Sequence, residues 1–325
     1  MRKRALLPLL SLLFVSCRFA SDIAPDGNPF LEERDLTQAM VITGEVEDKV
    51  LKAYEVDSKY SGEHWSEGEY VEFALVTDVH IGMSDTDSGV HQREDAYLSF
   101  IEGKDFPFMV CLGDIVDDGD LYDSRVIDFI TSAAAETNGN YVMVLGNHDR
   151  REYSQSTIDK FLSEFNSGRM EKLVFDQLSM YKLDNSLRTF GKEQLVYLEE
   201  ALSDDENPVK LILAHENLIP GAHLDTSIFY VGTGDTAERN RLYRIMKENG
   251  AGVIFTGHLH AGNKVTKVTS TMGEFNAAAC VDEDTVDGNG YFYTVKVSFT
   301  DKEVLITSYD AKTGEKEKEY TYKLP

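Results

Sequence analysis

The chain has 325 residues, room for one large domain or two smaller ones, and its 42% hydrophobic content can fill a sizeable core. Fifty-seven acidic residues against 32 basic ones leave a formal net charge of −25. A surface that negative repels phosphate backbones, which argues against nucleic acid as a partner along an extended face. A small anion can still bind wherever a local positive centre receives it.

The first segment reads as an address. "MRKR" is basic, and "ALLPLLSLLFVS" is an apolar run that ends at Cys17. The run is short for a membrane span and fits an export signal over residues 1–16. "FVSC" is similar to a bacterial lipoprotein processing site, in which small residues precede a cysteine that is then acylated. Phe14 stands where that pattern more often has leucine. The likeness implies a protein exported to the cell envelope and held to a membrane by a lipid on Cys17. Cleavage by an ordinary signal peptidase and a short uncleaved anchor are the alternatives.

Residues 17–69 are polar and uneven, with "SDIAPDGNP" and "YSGEHWSEGE" as turn-rich stretches. They read as a tether with some peripheral structure, including a strand around 39–46. From residue 70 the pattern alternates. Apolar, strand-like runs at 71–77, 107–112, 141–145, 209–214 and 252–256 are separated by helical spacing at 91–102, 121–135, 191–202 and 237–249. This is the signature of an α/β domain whose strands are covered on both faces. Beyond 263, segments 264–269, 273–280, 290–299 and 303–309 are alternating, β-branched and aromatic. They read as antiparallel strands finishing a sheet within one domain over 70–325. Cys111 and Cys280 lie in apolar runs and are expected as buried free thiols.

Each of the five strand-like runs ends in polar residues able to ligate metal. They are Asp78 and His80 in "TDVH", Asp114 and Asp117 in "LGDIVDDG", Asn147 and His148 in "LGNHD", His215 in "LAHEN", and His258 and His260 in "GHLH". In α/β sheets ligands gather beyond the carboxyl ends of the strands, so five such ends should converge on one crevice. Gly113, Gly146 and Gly257 each precede a candidate ligand, where a residue without Cβ permits a sharp turn and close approach. Five of the eight histidines fall at these ends. His64, His91 and His223 lie in loop-like context, the last two as possible lining of the opening.

The ordered series Asp78-x-His80, Gly113-Asp114-x-x-Asp117, Gly146-Asn147-His148-Asp149, His215 and Gly257-His258-x-His260 resembles the calcineurin-like metallophosphoesterases over residues 71–262. The stretch 183–202, "LDN" through "EEAL", also resembles the segment that these enzymes place before the lone histidine. The resemblance implies a four-layer α/β/β/α sandwich of the metallo-dependent phosphatase type, with two metal ions. Asp78, His80, Asp114 and His260 would hold the first ion. Asp114, Asn147, His215 and His258 would hold the second, with Asp114 bridging. Imidazole with carboxylate and amide oxygens suits Mn, Fe or Zn. Such ions act on a small phosphoester substrate by clamping the attacking and leaving oxygens and activating water. His148 is left to protonate the leaving group or bind a phosphate oxygen, and Asp149 is expected to fix its tautomer. Asp117 is expected to act behind the ligands. Arg150 and Arg151 are expected as solvated surface residues, with phosphate contact as the alternative.

Three departures narrow the reading. Purple acid phosphatases have tyrosine where Asp117 stands and lack the histidine of Asp-x-His. The lone-histidine block often reads Gly-His-x-Pro, whereas here Ala214, Glu216 and Asn217 surround His215. Residues 216–236 are expected to loop over the site. Phosphomonoester or phosphodiester hydrolysis leads. A metal-dependent nuclease is disfavoured by the charge, and a non-catalytic scaffold by the full ligand set.

Overall fold

The computed structural model describes residues 47–50, 69–83, 93–137, 139–151, 154–218, 236–282, 285 and 288–325. The strand expected around 39–46, residues 1–16, Cys17, His64, His91, His223 and most of the 216–236 loop lie outside them. In chain order the strands are β1 (Glu47–Val50), β2 (Tyr70–Val76), β3 (Met109–Cys111), β4 (Tyr141–Met143), β5 (Glu171–Phe175), β6 (Leu178–Lys182), β7 (Val209–Leu213) and β8 (Val253–Thr256). They continue with β9 (Lys264–Lys267), β10 (Gly273–Asn276), β11 (Tyr291–Ser298), β12 (Glu303–Asp310) and β13 (Lys316–Lys323). The helices are α1 (Glu94–Ile101), α2 (Ser124–Glu136), α3 (Gln155–Glu164), α4 (Lys192–Ser203) and α5 (Thr236–Glu248).

The strands form two mixed sheets. One runs β1-β5-β6-β7-β8-β10-β9 and the other β13-β12-β11-β2-β3-β4. Alternation along β2 explains the layering. Val71, Phe73 and Leu75 point into a core shared with Leu173, Met180, Leu211, Phe255 and Phe275 of the facing sheet. Ala74 and Val76 point outward, onto a second core built with Tyr97, Ile101, Val126, Phe129 and Phe161 of α1, α2 and α3. On the far side, Tyr181, Ile212 and Ile254 pack against Leu195, Leu198, Leu242 and Ile245 of α4 and α5. The result is the four-layer α/β/β/α sandwich. Helix starts are locally specified: the Asp123 side chain accepts from Arg125 N at 2.8 Å to open α2, and Ser154 caps α3.

The five apolar strands are where the pattern put them, but split between sheets: β2, β3 and β4 in one, β7 and β8 in the other. The later strands also divide. β9 and β10 pair antiparallel, yet β10 joins β8 in parallel. β11, β12 and β13 form the antiparallel half of the second sheet. The strand expected over 273–280 ends at Asn276, after which the chain crosses and Cys280 N donates to Thr77 O at 2.9 Å. Cys111 and Cys280 are buried free thiols. Among the described residues no helix is long and apolar enough to cross a membrane.

Candidate functional site

Where β2, β3, β4, β7 and β8 end, the chain leaves its ladders and the two sheets become tied to each other. Four candidate ligands there have left-handed backbone: Asp78 (φ 50°), His80 (50°), Asp114 (49°) and His258 (68°). Each costs roughly 1–2 kcal/mol in an L-residue, so the surrounding bonds must over-determine it. They do: Asp78 N donates to Gly113 O at 2.9 Å, His80 N to Asp114 O at 3.0 Å, and Gly257 N to His215 O at 2.8 Å. Gly146 is required by close approach, since a Cβ there would stand 2.1 Å from Asp114 Oδ1.

Hydrogen-bond chemistry fixes which ring nitrogens face the centre. Asp117 Oδ1 lies 3.0 Å from His80 Nδ1. That hydrogen bond, helped by nearby His148 and Arg151 and opposed by burial, holds the Asp117 carboxyl below its usual range. An ionised carboxylate only accepts, so Nδ1 of His80 carries the proton and Nε2 offers a lone pair. His215 follows the same logic: Nδ1 donates to Leu112 O at 2.8 Å, which turns Nε2 toward Asp114 Oδ2 and Asn147 Oδ1, both at 3.2 Å. His80 Nε2 stands 3.1 Å from His260 Nε2 and 3.9 Å from both Asp78 Oδ1 and Asp114 Oδ2. His260 Nε2 is 3.8 Å from Asp78 Oδ1.

These contacts make an acceptor-rich centre that needs positive charge. Asp78 Oδ2 accepts from Thr77 Oγ1 at 2.6 Å and His258 N at 2.9 Å, whereas Asp78 Oδ1 is buried with no hydrogen-bond partner. An orphaned carboxylate oxygen beside two imidazole nitrogens fits a metal ligand. Burial alone would raise the Asp114 carboxyl, but His215, His80 and His148 outweigh it and hold it well below the usual range. For His215, burial works downward, and Asp114, Asp78 and Glu216 prevail to raise it to about 10. Burial and the adjacent His215 push His258 down to about 3. Among the described residues, three groups have donor atoms within 4.8 Å of one another: Asp78, His80 and His260; His80, Asp114 and His148; Asp114, His215 and His258. Asp114 belongs to two of them.

His148 stands at the mouth. Its Nδ1 lies 2.6 Å from Asp117 O and 3.2 Å from Asp117 Oδ1, both acceptors. Nε2 therefore accepts from Arg151 Nη2 at 2.7 Å when the ring is neutral. Burial lowers the affinity of this ring for a second proton, and His80 and Arg151 act the same way against Asp114.

Two expectations are corrected here. Asp149 does not orient His148; its Oδ2 accepts from Asp114 N at 3.0 Å and Gly146 N at 2.8 Å, and its Oδ1 from Ile115 N at 2.9 Å and Val116 N at 3.3 Å. The tight turn from Gly146 folds the carboxylate back onto this backbone, and Asp117 does the orienting. Arg150 is not solvated: it is buried, 3.4 Å from Asp184 Oδ2 and 3.2 Å from Ser186 Oγ. Arg151 is partly exposed, as expected.

Residues to which the sequence assigned no role surround the centre. Thr77 holds Asp78, and Asn276 Nδ2 donates to Gly257 O at 2.6 Å. Asn185 braces the backbone at His215, and Glu216 is a buried carboxyl with no hydrogen bond on either oxygen, with Arg188 Nε 3.7 Å from Oε1. The only signal for Asn185 was its place in "LDN", directly after a strand.

Comparison with known proteins gives the family and the fold. Residues 71–262 match the family model of the calcineurin-like phosphoesterases. A probable cyclic nucleotide phosphodiesterase of Fibrobacter succinogenes is 25% identical over 198 residues, 60% of this chain and 75% of that one. A dimetal phosphatase from Danio rerio superposes with a TM-score of 0.56 at 13% identity, covering 78% of this chain and 99% of the other. A purple acid phosphatase from yellow lupin (Lupinus luteus) gives 0.55 at 12% identity, with 78% of this chain but only 54% of the lupin chain covered. At such identities the structural likeness concerns the fold.

Proposed function

This chain belongs to the calcineurin-like phosphoesterase family, whose members are dimetal-dependent hydrolases, and we propose that it hydrolyses small phosphomonoesters or phosphodiesters at the centre described above. The observation that carries the assignment is the position of Asp114 Oδ2, 3.2 Å from His215 Nε2 and 3.9 Å from His80 Nε2. One carboxylate thus faces both halves of the ligand set. Asp78, His80, Asp114 and His260 would hold one ion, and Asp114, Asn147, His215 and His258 the other. The mixed nitrogen and oxygen donors favour Mn, Fe or Zn. When bound, the two ions supply Lewis acidity that neutralises phosphoryl oxygens and lowers the pKa of water.

The chain's own residues then set the geometry. Asp117 holds His80 and His148 through their Nδ1 atoms, so His80 presents Nε2 to the ligand cluster and His148 presents Nε2 to the opening. His148, with a proton on Nε2, donates it to the departing oxygen or to a phosphate oxygen. Arg151, which occupies that nitrogen in the neutral arrangement, is released to meet the phosphate. Asp149 anchors the backbone around Asp114 through both of its carboxylate oxygens.

Substrate class follows from these residues and from the Fibrobacter relative, named a probable cyclic nucleotide phosphodiesterase. Metal-stripped protein should be assayed with Mn²⁺ against nitrophenyl mono- and diesters, cyclic nucleotides and glycerophosphodiesters. Metal-dependent turnover of at least one class supports the reading, and none with any ester overturns it. We also read the N-terminus as directing export to the cell envelope, with a lipid on Cys17 as membrane anchor. Incorporation of a labelled fatty acid that Cys17→Ala abolishes would support this, and labelling that persists in the variant would refute it.

A further inference from the structure

The two halves of the second ion's ligand set come from different sheets. Asn147 follows β4 of the six-stranded sheet, and His215 follows β7 of the seven-stranded one. No strand ladder therefore fixes the 3.2 Å between Asn147 Oδ1 and His215 Nε2. Something outside both ladders must hold that distance.

The turn after β6 reaches both sides. Asn185 is fully buried, and its side chain makes three hydrogen bonds to the backbone at the histidine. Its Oδ1 accepts from His215 N and Glu216 N, both at 3.0 Å, and its Nδ2 donates to Glu216 O at 2.8 Å. On either side of Asn185, Asp184 and Ser186 grip Arg150, two residues beyond His148, at 3.4 and 3.2 Å. Ser186 Oγ also donates to Asp184 Oδ1 at 2.5 Å, so the two acceptors for the guanidinium are locked together. The turn is itself fixed from behind: Asp184 N donates to Gln194 Oε1 at 2.8 Å, and Gln194 Nε2 donates to Asp184 O at 2.9 Å.

We propose that the Asp184–Ser186 turn is a positioning clamp for the second metal ion, with Asn185 setting the stance of His215 and Arg150 tying the Asn147 loop to the same turn. The inference rests on the two-ion reading above, and goes beyond it by assigning residues that touch neither ion nor substrate. Asparagine is specified because the task needs an acceptor for two N–H groups and a donor for one carbonyl on a single short side chain. Alanine leaves all three backbone groups buried without partners. Aspartate keeps the acceptor, loses the donor, and sets a second carboxylate against Glu216.

The test reads metal binding directly. Metal-free wild-type, Asn185→Ala and Asn185→Asp proteins are titrated with Mn²⁺ by calorimetry, and the spin-coupled dimanganese signal is followed by electron paramagnetic resonance. Loss of an outer partner of a metal-binding histidine typically weakens binding about 10–100-fold. The expected result is a first ion bound as in wild type, a second ion weakened by about that factor in Asn185→Ala, and a smaller loss in Asn185→Asp. The coupled signal should appear only at correspondingly higher Mn²⁺. If Asn185→Ala does not fold, Asn185→Asp decides. A second ion bound with wild-type affinity in a folded variant overturns the clamp and leaves the two-ion reading standing. Wild-type protein that takes up no second ion overturns both.

Discussion

Replacing Asp149 by asparagine separates an architectural role from a catalytic one. The carboxylate accepts four buried backbone hydrogen bonds, two on each oxygen: Asp114 N and Gly146 N on one, Ile115 N and Val116 N on the other. An amide has a single acceptor oxygen, so in either orientation its NH₂ group turns toward two N–H donors. Each buried donor left without an acceptor costs about 1–3 kcal/mol, giving about 2–6 kcal/mol for the pair. That is a large share of the 5–15 kcal/mol typical of folded domains, and should lower the thermal midpoint by on the order of 10 °C. Because Asp114 is among the residues released, metal affinity should fall together with stability. Thermal unfolding followed by circular dichroism, with metal content measured on the same samples, checks both. A variant with wild-type midpoint and metal content, but a displaced pH–rate profile, would refute this reasoning. It would mean that Asp149 acts on His148 instead.

Asp114→Ala should lose both ions, since this carboxylate faces His80 and His215 alike; elemental analysis showing one ion retained would contradict the bridging position. His148→Ala should keep wild-type metal content and lose about 10²–10⁴-fold in kcat, most severely for poor leaving groups; an unchanged rate across a leaving-group series would exclude an acid role. Away from the site, burial lowers the Lys104 amine to about 8, against the opposing charge of Glu72. Lys104 should therefore be about half deprotonated at pH 8, and acylate well ahead of ordinary lysines, whose pKa is about 10.4; labelling followed by mass spectrometry that shows no such preference would count against its half-buried setting.

The parts of the fold that could be read from the sequence are those in which burial leaves a one-dimensional trace. β2, β3, β4, β7 and β8 are short apolar runs because both their faces are covered, and each stops where Asp, Asn or His begins. β6 and β13 leave only a weak trace in the sequence, for opposite reasons. β6 carries Lys182, fully buried yet paired with Glu171 directly across in β5 and donating to Ser167 Oγ at 2.7 Å. A charge neutralised by a neighbouring strand looks like a surface residue until the pairing is known. β13, "KEKEYTYK", is an edge strand exposed over most of its length, and its charges discourage further pairing. α3 is a ten-residue helix that carries a single apolar i, i+3, i+4 set, Ile158, Phe161 and Leu162, a short trace among polar neighbours.

The site divides in the same way. The residue types and their order pointed to the ligand cluster, because metal chemistry demands Asp, Asn and His whatever the loop geometry. The direction of each side chain was not available, and this misled the reading of Asp149. An aspartate beside a histidine suggests an orienter, but the turn from Gly146 sends its carboxylate to the backbone of residues 114–116, leaving Asp117, thirty-one residues away in sequence, to hold His148. Asn185 was hidden because its partners are main-chain atoms of a different strand end, which leave no mark on residue choice beyond one asparagine. The division of five strand ends between two sheets was likewise implied only by family resemblance, since spacing along the chain is the same for one sheet or two.

The central claim is that two ions held by Asp78, His80, Asp114, Asn147, His215, His258 and His260 make this chain a phosphoesterase. The most direct measurement is hydrolysis of a nitrophenyl phosphodiester by chelator-stripped protein titrated with Mn²⁺, with bound metal counted at each step. The account predicts negligible activity without metal and full activity only as the second equivalent binds. Activity that survives complete removal of metal, or saturates with one ion per chain, would contradict it.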